Sequence, residues 1–252
     1  MLRDLSGAVA WVTGAGTGIG QGGAVALAGE GVRVVLSGRR RPELERTAKM
    51  IEDGGGVAVI EPLDVTDKAA VEAVARRIDE RWGRCDVLVN SAGVNIRDRH
   101  WRDVDNAEFD QVVSINLNGA FYCTQAVLPM MRARKDGLVI QVSSWAGRYH
   151  SYITGPAYGA SKFGLTALSA NLNIEECVHG IRSCALCPGE VATPILDRRP
   201  VPVSAEDRAK MVQPDDMGDL ILFIARMPAH VCLNEIVVSP TWNRAYVGQH
   251  QG

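Results

Sequence analysis

The sequence predicts an α/β protein: one domain over residues 1–252, built as a doubly wound parallel sheet of about seven strands with helices on both faces. Three observations carry that expectation. Short runs rich in β-branched residues alternate with helical stretches along the chain, which implies βαβ units and a parallel sheet. A length of 252 residues suits one large domain better than two small ones, and 46% hydrophobic against 22% charged residues supply a sizeable core. No internal repeat, low-complexity tract or linker divides the chain.

Taken in order, strands are expected at AVAWVT (8–13), RVVLS (33–37), VAVIEP (57–62), DVLVN (86–90), LVIQVSS (138–144), RSCALC (182–187) and EIVVS (235–239). The clearest helix between them is 67–82, where Val71, Val74, Ala75, Ile78 and Trp82 keep a 3.6-residue spacing and Asp67 stands as the cap. The segment FGLTALSANLNIEE spreads Phe163, Leu165, Leu168, Leu172 and Ile174 widely around a helix. A helix apolar on most sides is buried on most sides. The irregular stretches 91–104 and 192–213 follow the C-terminal ends of strands, where open α/β sheets bind ligands. Residues from about 94 to 104 and from 192 to 213 are therefore the expected substrate loops.

Twenty-seven Lys and Arg against 29 Asp and Glu leave a net charge of −2, which gives no argument for nucleic acid or an anionic membrane as partner. The apolar run Ala8 to Val12 near the N-terminus is too short for a signal-peptide core. No stretch approaches the ~20 apolar residues of a membrane helix, so a cytoplasmic location is expected. Cysteines stand at 85, 123, 177, 184, 187 and 232. Cys184 and Cys187 have CxxC spacing, but residues three apart on a strand point to opposite faces. With no second CxxC or nearby His pair to complete a zinc set, core thiols are expected and a metal is not.

Directly after the first strand comes TGAGTGIG, Thr13 to Gly20, followed by a helical stretch. Glycines at 14, 16, 18 and 20 permit a tight turn and let backbone approach a pyrophosphate at a helix N-terminus. The G-x-G-x-x-G spacing itself fits Gly18, Gly20 and Gly23, a register that starts too far past the strand. A glycine-rich turn alone is weak evidence; its place between the first strand and first helix of a βαβ unit points to a dinucleotide. After the second strand the chain reads VVLSGRRRPEL, with Gly38 where an acid for a ribose 2′-hydroxyl would stand, then Arg39, Arg40 and Arg41. An acid there would repel a 2′-phosphate, whereas an arginine fork matches it, so NADP(H) is favoured over NAD(H). The alternative is a solvated charge run before a helix.

The stretch AYGASKFG sets Tyr158 and Lys162 four apart, stacked on one face of a helix. Packing alone would explain an apolar ring beside a snorkelling lysine. The chemical reading is that a neighbouring ammonium lowers the phenol's pKa of ~10 and makes it a usable acid or base.

These motifs together resemble the short-chain dehydrogenase/reductase family over nearly the whole chain. TGAGTGIG is similar to its glycine motif, LDVT (63–66) to its adenine-binding segment, and NSAG (90–93) to its N-N-A-G. SINLNG (114–119) is similar to its helix-interrupting segment, VSSWAG (142–147) to its serine segment, YGASK to its Tyr-x-x-x-Lys, and CPGEVAT (187–193) to its nicotinamide-side segment. The resemblance implies a single-domain Rossmann fold and hydride transfer between a nicotinamide and a carbonyl or secondary alcohol. It assigns proton exchange to Tyr158, nicotinamide-ribose binding and pKa lowering to Lys162, carbonyl orientation to Ser144, and a relay water to Asn116. For the cofactor it implies Gly14, Thr17, Gly18, Ile19 and Gly20 at the phosphates, and Arg39 and Arg40 at the 2′-phosphate. Asp64 and Val65 would lie at adenine, Asn90, Ala92 and Gly93 on the ribose side, and Pro188, Gly189, Val191 and Thr193 at the carboxamide. It also implies a homodimer or, in preference, a homotetramer. The chain departs from the family at Ser91, at Thr17, where many NADP-dependent members carry a basic residue, and in its ending CLNEIVVSPTWNR.

The expected pocket runs over Val94 to Trp101, Trp145 to Tyr152, and Pro194 to about Val203. Trp145, Arg148, Tyr152 and Glu190 are the substrate candidates; Trp101 and Tyr149 add room for apolar or ring-bearing groups. Arg97, Arg99, Arg102 and Arg148 could hold a carboxylate, although most loop arginines simply face water. His100 and His150 stand near the mouth, where packing or solvation is the simpler reading. A short hydroxy acid is the alternative substrate. A non-catalytic dinucleotide sensor is a more remote reading, because it would not need Ser144, Tyr158 and Lys162 together. An extended epimerase or dehydratase would carry a larger C-terminal region than the roughly 40 residues after Gln213.

Overall fold

The computed structural model describes residues 2–247; the ends of the expected 1–252 domain, residue 1 and residues 248–252, lie outside the described residues. Strands and helices alternate as β1 Val9–Thr13, α1 Gly18–Gly29, β2 Arg33–Gly38, α2 Arg41–Asp53, β3 Val57–Pro62, α3 Lys68–Trp82 and β4 Val87–Asn90. The chain continues with α4 Asn106–Val113, a π-helical turn Ser114–Asn118, α5 Gly119–Arg134, β5 Gly137–Val142, α6 Gly155–Glu176 and β6 Ile181–Pro188. It ends with α7 Ala205–Ala209, α8 Pro214–Ala225, β7 Glu235–Val238 and α9 Arg244–Val247. All seven expected strands are present, within two residues of their expected ends.

The strands form one parallel sheet in the order β3-β2-β1-β4-β5-β6-β7, a Rossmann arrangement with its topological switch between β1 and β4. Strand alternation builds the two halves of the core. On one face Ala10, Val12, Val34, Leu36, Val89 and Ile140 pack against Leu27 of α1, Leu44 of α2 and Met217 and Ile221 of α8. On the other, Val9, Trp11, Val35, Leu88 and Val139 meet Val71, Val74 and Ile78 of α3 and Val127 and Met131 of α5. Every residue of β1, β4, β5 and β6 is buried, which explains why these strands read as continuous apolar runs. The one ring among them, Trp11, is fully buried and donates its indole N–H to Ser37 Oγ at 2.9 Å.

Asp67 caps α3 as expected, accepting from the Ala70 N–H at 3.0 Å. Cys184 and Cys187 are both buried on β6. Among the described residues no helix is long and apolar enough to cross a membrane, and no group of His, Cys, Asp or Glu could hold a metal ion. The run 138–144 is strand only to Val142, because Ser143 turns its hydroxyl to α6, within 3.0 Å of the Lys162 carbonyl and 2.9 Å of Thr166 Oγ1. The expected loop 192–213 is not irregular throughout: it holds a 3-10 turn at Pro194–Arg198 and α7, and Val212 bridges Val191.

Candidate active site

A cavity of about 880 Å³ opens beyond the C-terminal ends of the strands, from the glycine turn after β1 to the loops after β4, β5 and β6. Its cofactor end is shaped by absent side chains. Gly14 and Gly18 take φ of +65° and +60°, a left-handed conformation that favours glycine. A Cβ on Gly14 would lie 2.7 Å from the Ser91 carbonyl oxygen, and one on Gly18 2.9 Å from Thr193 Cγ2. The turn therefore brings backbone against the β4 loop and delivers the N-terminus of α1, with Thr17, Gly18 and Ile19, to the cavity wall. Gly20 lies beneath, where a Cβ would meet the Gly14 carbonyl at 2.4 Å; it shapes the turn and does not line the cavity. Gly22 and Gly23 serve packing: their Cβ atoms would come within 2.2 Å of the Pro214 carbonyl and 2.7 Å of Ile221 Cδ1 on α8. The G-x-G-x-x-G register ending at Gly23 thus belongs to a helix–helix contact.

Gly38, Arg39 and Arg40 follow along the wall. Arg40 is 3.5 Å from Glu43, which Arg46 also approaches at 2.7 Å. Arg39 makes no ion pair among the described residues, leaving its guanidinium available at the edge of the cavity. Asp64 lines the same end; burial works against its carboxylate, but the Thr66 N–H and hydroxyl, together with Arg39, hold its pKa below the ordinary value. Val65, Ala92, Gly93, Pro188, Gly189, Val191 and Thr193 all line the cavity as expected. Asn90 does not. It is 3% exposed inside the fold and donates to the Ala120 carbonyl, Thr124 and Gln141, so its amide braces β4 against α5 and β5. A left-handed glycine cradle, a helix N-terminus and an arginine outside any ion pair fit a phosphate-rich dinucleotide.

Tyr158, Lys162, Ser144 and Trp145 line the other end of the cavity. Tyr158 and Lys162 share one face of α6, while Ser144 begins the 3-10 turn after β5 and accepts from the Ala146 N–H at 3.1 Å. Burial raises the pKa of the Tyr158 phenol; the Ser144 hydroxyl and the guanidiniums of Arg199 and Arg99 pull against that rise without overcoming it. Lys162 lies across the face of that ring. Its Nζ sits 5.6 Å from the ring centroid and donates to the Val142 carbonyl at 2.7 Å, so it addresses the ring face. Burial pushes the Lys162 ammonium down to about 8.

Asn116 is fully buried in the π-helical turn and does not line the cavity. Its Oδ1 accepts from the Val94 N–H at 2.8 Å, and its Nδ2 donates to the Val94 carbonyl at 2.9 Å and Ser161 Oγ at 3.1 Å. It ties the β4 loop to α6 directly behind Lys162.

Two substrate candidates fall away. Arg148 is half-exposed and paired with Glu235 at 2.6 Å, and Tyr152 is 81% exposed, stacked on His100 with centroids 4.3 Å apart; neither lines the cavity. Glu190 does line it, but as the hub of an ion-pair cluster with Arg199 at 2.7 Å and Arg244 at 2.8 and 2.5 Å. Burial opposes its charge, yet the two arginines keep its pKa below the usual carboxylate value. Of the loop arginines, Arg97 is exposed and Arg102 pairs with Asp103, whereas Arg99 is buried and lines the cavity. Asn243 and Arg244, which the sequence motifs do not mark, reach the cavity from the segment after β7. The departure from the family's usual ending is the one sequence signal that points to them.

The family model described as short chain dehydrogenase matches residues 8–201. An uncharacterized oxidoreductase of Staphylococcus haemolyticus is 34% identical over 240 residues, covering 95% of this chain and 100% of that protein. Among solved structures, a metagenomic short-chain oxidoreductase in complex with NADP superposes with a TM-score of 0.83 at 33% identity, covering 96% of this chain and 100% of its own. An alcohol dehydrogenase from the archaeon Thermococcus sibiricus, complexed with 5-hydroxy-NADP, gives a TM-score of 0.84 at 27% identity over 94% of this chain and 98% of its own. With its glycine turn, its Ser144, Tyr158 and Lys162 wall and its seven-stranded parallel sheet, the chain belongs to the short-chain dehydrogenase family.

Proposed function

We propose that the chain is an NADP(H)-dependent oxidoreductase acting on a carbonyl or secondary alcohol, with Tyr158 as its general acid and base. The observation that carries this reading is the continuity of the cavity: Arg39 and the glycine cradle at one end, Ser144, Tyr158 and Lys162 at the other. Gly14, Thr17, Gly18 and Ile19 would hold the phosphates, Arg39 the 2′-phosphate, and Pro188, Gly189, Val191 and Thr193 the carboxamide side. The bound nicotinamide would supply or accept the hydride. In reduction Tyr158 gives its proton to the substrate oxygen, and a phenol kept protonated by burial suits that direction. Ser144 orients the oxygen. Lys162 would meet the nicotinamide ribose, and Asn116, through Val94 and Ser161, fixes the wall behind it.

The NADP(H) preference rests on Gly38 in place of an acid and on Arg39, which no carboxylate among the described residues holds in an ion pair; the NADP carried by the metagenomic relative agrees with it. A homotetramer, or failing that a homodimer, is part of the same reading. Phe121 of α5 is 44% exposed and Ile174 of α6 is 74% exposed, apolar surface that a second copy would cover. A cytoplasmic small-molecule enzyme is the setting we assign. The test is Tyr158→Phe, which removes one hydroxyl: NADPH binding, followed by its fluorescence, should persist while turnover of a carbonyl panel falls by ~100-fold or more. A variant that keeps more than about a tenth of wild-type turnover would remove Tyr158 from this role.

A further inference from the structure

Arg99 is a buried cation for which no described residue supplies a counter-ion. It is 5% exposed, yet no carboxylate among the described residues comes within ion-pair distance of it. Its two terminal nitrogens donate to backbone carbonyls, Ile153 at 3.3 Å and Arg198 at 2.6 Å, and its Nε–H has no acceptor. Carbonyl oxygens satisfy N–H groups but do not neutralise a charge, and a buried charge without a partner is among the most costly features a fold can keep.

A tether between two loops would be the simpler role, and Arg182 at the opposite end of the sheet shows what such a tether looks like. Arg182 is 6% exposed and donates from one nitrogen to the carbonyls of Met227, Pro228 and Val231. Its Nε–H likewise has no acceptor, and Arg3 opposes its charge ahead of the support from Asp136. Around Arg99 the charged neighbour is Arg199, which repels it, and the remaining ionisable neighbour is Tyr158. Arg99 also lines the cavity that holds Tyr158, whereas Arg182 faces a crevice of only about 60 Å³.

The surrounding charges lean the same way. Glu190 divides one negative charge between Arg199 and Arg244, and Asp207 also approaches Arg244 at 3.7 Å. Asp197 also reaches the wall, but its carboxylate is largely exposed and engaged by Arg208. Arg99, Arg198, Arg199 and Arg244 therefore face the substrate end of the cavity with an excess of positive charge. A planar guanidinium fork is shaped for the two oxygens of a carboxylate.

We infer that the cavity takes a substrate bearing a carboxylate, an oxo acid for reduction or the matching hydroxy acid for oxidation, held by Arg99 with Arg199 while the reacting carbon faces Tyr158. The inference rests on the proposed oxidoreductase chemistry for its reaction and on Arg99 for its substrate class. In reduction the hydride joins the carbonyl carbon and the Tyr158 proton joins its oxygen; the carboxylate is unchanged. Trp145, Ile153 and Leu196 in the same wall leave an apolar space for the body of the acid.

The first measurement reads binding alone. Butyrate, butyramide and inorganic phosphate are titrated calorimetrically into protein saturated with NADP+, which fills the 2′-phosphate site. Butyrate should bind at least tenfold more tightly than butyramide, the worth of a charged hydrogen bond, and phosphate more weakly than butyrate. Arg99→Lys and Arg199→Gln should each shrink the butyrate-to-butyramide ratio by about tenfold. Because Arg99 also ties two loops, Arg199→Gln keeps the inference testable should the Arg99 variant fold poorly. Equal binding of acid and amide, a ratio that survives both substitutions, or tighter binding of phosphate would overturn the carboxylate assignment. The second measurement compares kcat/KM for an oxo acid and its methyl ester. Turnover of the ester without preference for the acid would defeat this inference and leave the reductase reading standing. Arg99-dependent binding of butyrate with no carbonyl turnover would keep the anion site and defeat the reductase reading.

Discussion

Lys162 offers the clearest measurable conflict between stability and chemistry. It is 4% exposed, and burial carries its ammonium down to about 8 from the ordinary 10.5. At roughly 1.4 kcal/mol per unit, the charge at pH 7 costs the fold about 3 kcal/mol. Replacing the amine by a thioether of similar length also removes the hydrogen bond to the Val142 carbonyl at 2.7 Å, worth about 1 kcal/mol. Lys162→Met should therefore raise stability at pH 7 by about 2 kcal/mol while turnover collapses under the proposed mechanism. The sign with pH follows from the lowered pKa. Below about 8 the lysine is protonated both folded and unfolded, so no slope arises from it. Between about 8 and 10.5 the unfolded chain binds the extra proton, and wild-type stability rises with pH by up to ~1.4 kcal/mol per unit. Buried Cys85, Cys123 and Cys184, each pushed up to about 12, act in the opposite sense above the ordinary thiol pKa. They are present in both proteins and cancel in the comparison. Urea unfolding of the cofactor-free proteins at pH 7 and 9.5, at one protein concentration, should show the advantage of the variant shrinking by about 2 kcal/mol. A variant less stable than wild type at pH 7, or a difference that does not move with pH, would refute the reasoning.

Arg39→Leu should weaken NADPH roughly ten- to a hundredfold, the scale of lost charged hydrogen bonds, with NADH little changed; Gly38→Asp should go further by adding repulsion. Equal weakening of both cofactors in kcat/KM would reduce Arg39 to a solvated helix start. Gly22→Ala would set a Cβ 2.2 Å from the Pro214 carbonyl and should cost ~1–3 kcal/mol, whereas Gly29→Ala meets nothing within 4 Å and should stabilise α1 by up to ~1 kcal/mol. Thermal melts that shift both variants alike would contradict the α1–α8 contact. Sedimentation should give a homotetramer, or failing that a homodimer, at micromolar concentration, and a stable monomer would sink that assembly.

What the sequence makes legible is what local pattern controls. β1, β4, β5 and β6 are buried on both faces, so nearly every residue in them is apolar or small and the strands stand out as uninterrupted runs. Asp67 acts three residues along its own helix, and Tyr158 and Lys162 share a face through helix geometry alone. The misreadings are contacts between segments distant in the chain. Gly23 fits a G-x-G-x-x-G spacing that lies too far past β1, and what it and Gly22 serve is visible only once α8, some 190 residues on, packs against them. Arg148 and Tyr152 lie in the expected stretch, but Glu235 and His100 draw them away from the cavity. The spacing of Lys162 from Tyr158 fixes only the helix face they share; the Val142 carbonyl decides where its Nζ points.

The same reasoning explains why the substrate end is illegible in the sequence although most of its residues lie in the expected loops. A loop arginine is solvated unless something buries it, and the sequence around Arg99 says nothing of Gly155, whose left-handed backbone packs against the Arg99 carbonyl and closes the loop. Glu190 looks like a substrate ligand because it follows the strand end at β6. Its partners Arg199 and Arg244 stand 9 and 54 residues away, and only the fold shows that they occupy its carboxylate. Once Glu190 is committed to those two arginines, it cannot also neutralise Arg99. The positive charge left over at Tyr158 comes from the pairing of four side chains carried by three separate loops, and under the proposed carboxylate reading that pairing would select the substrate's charge.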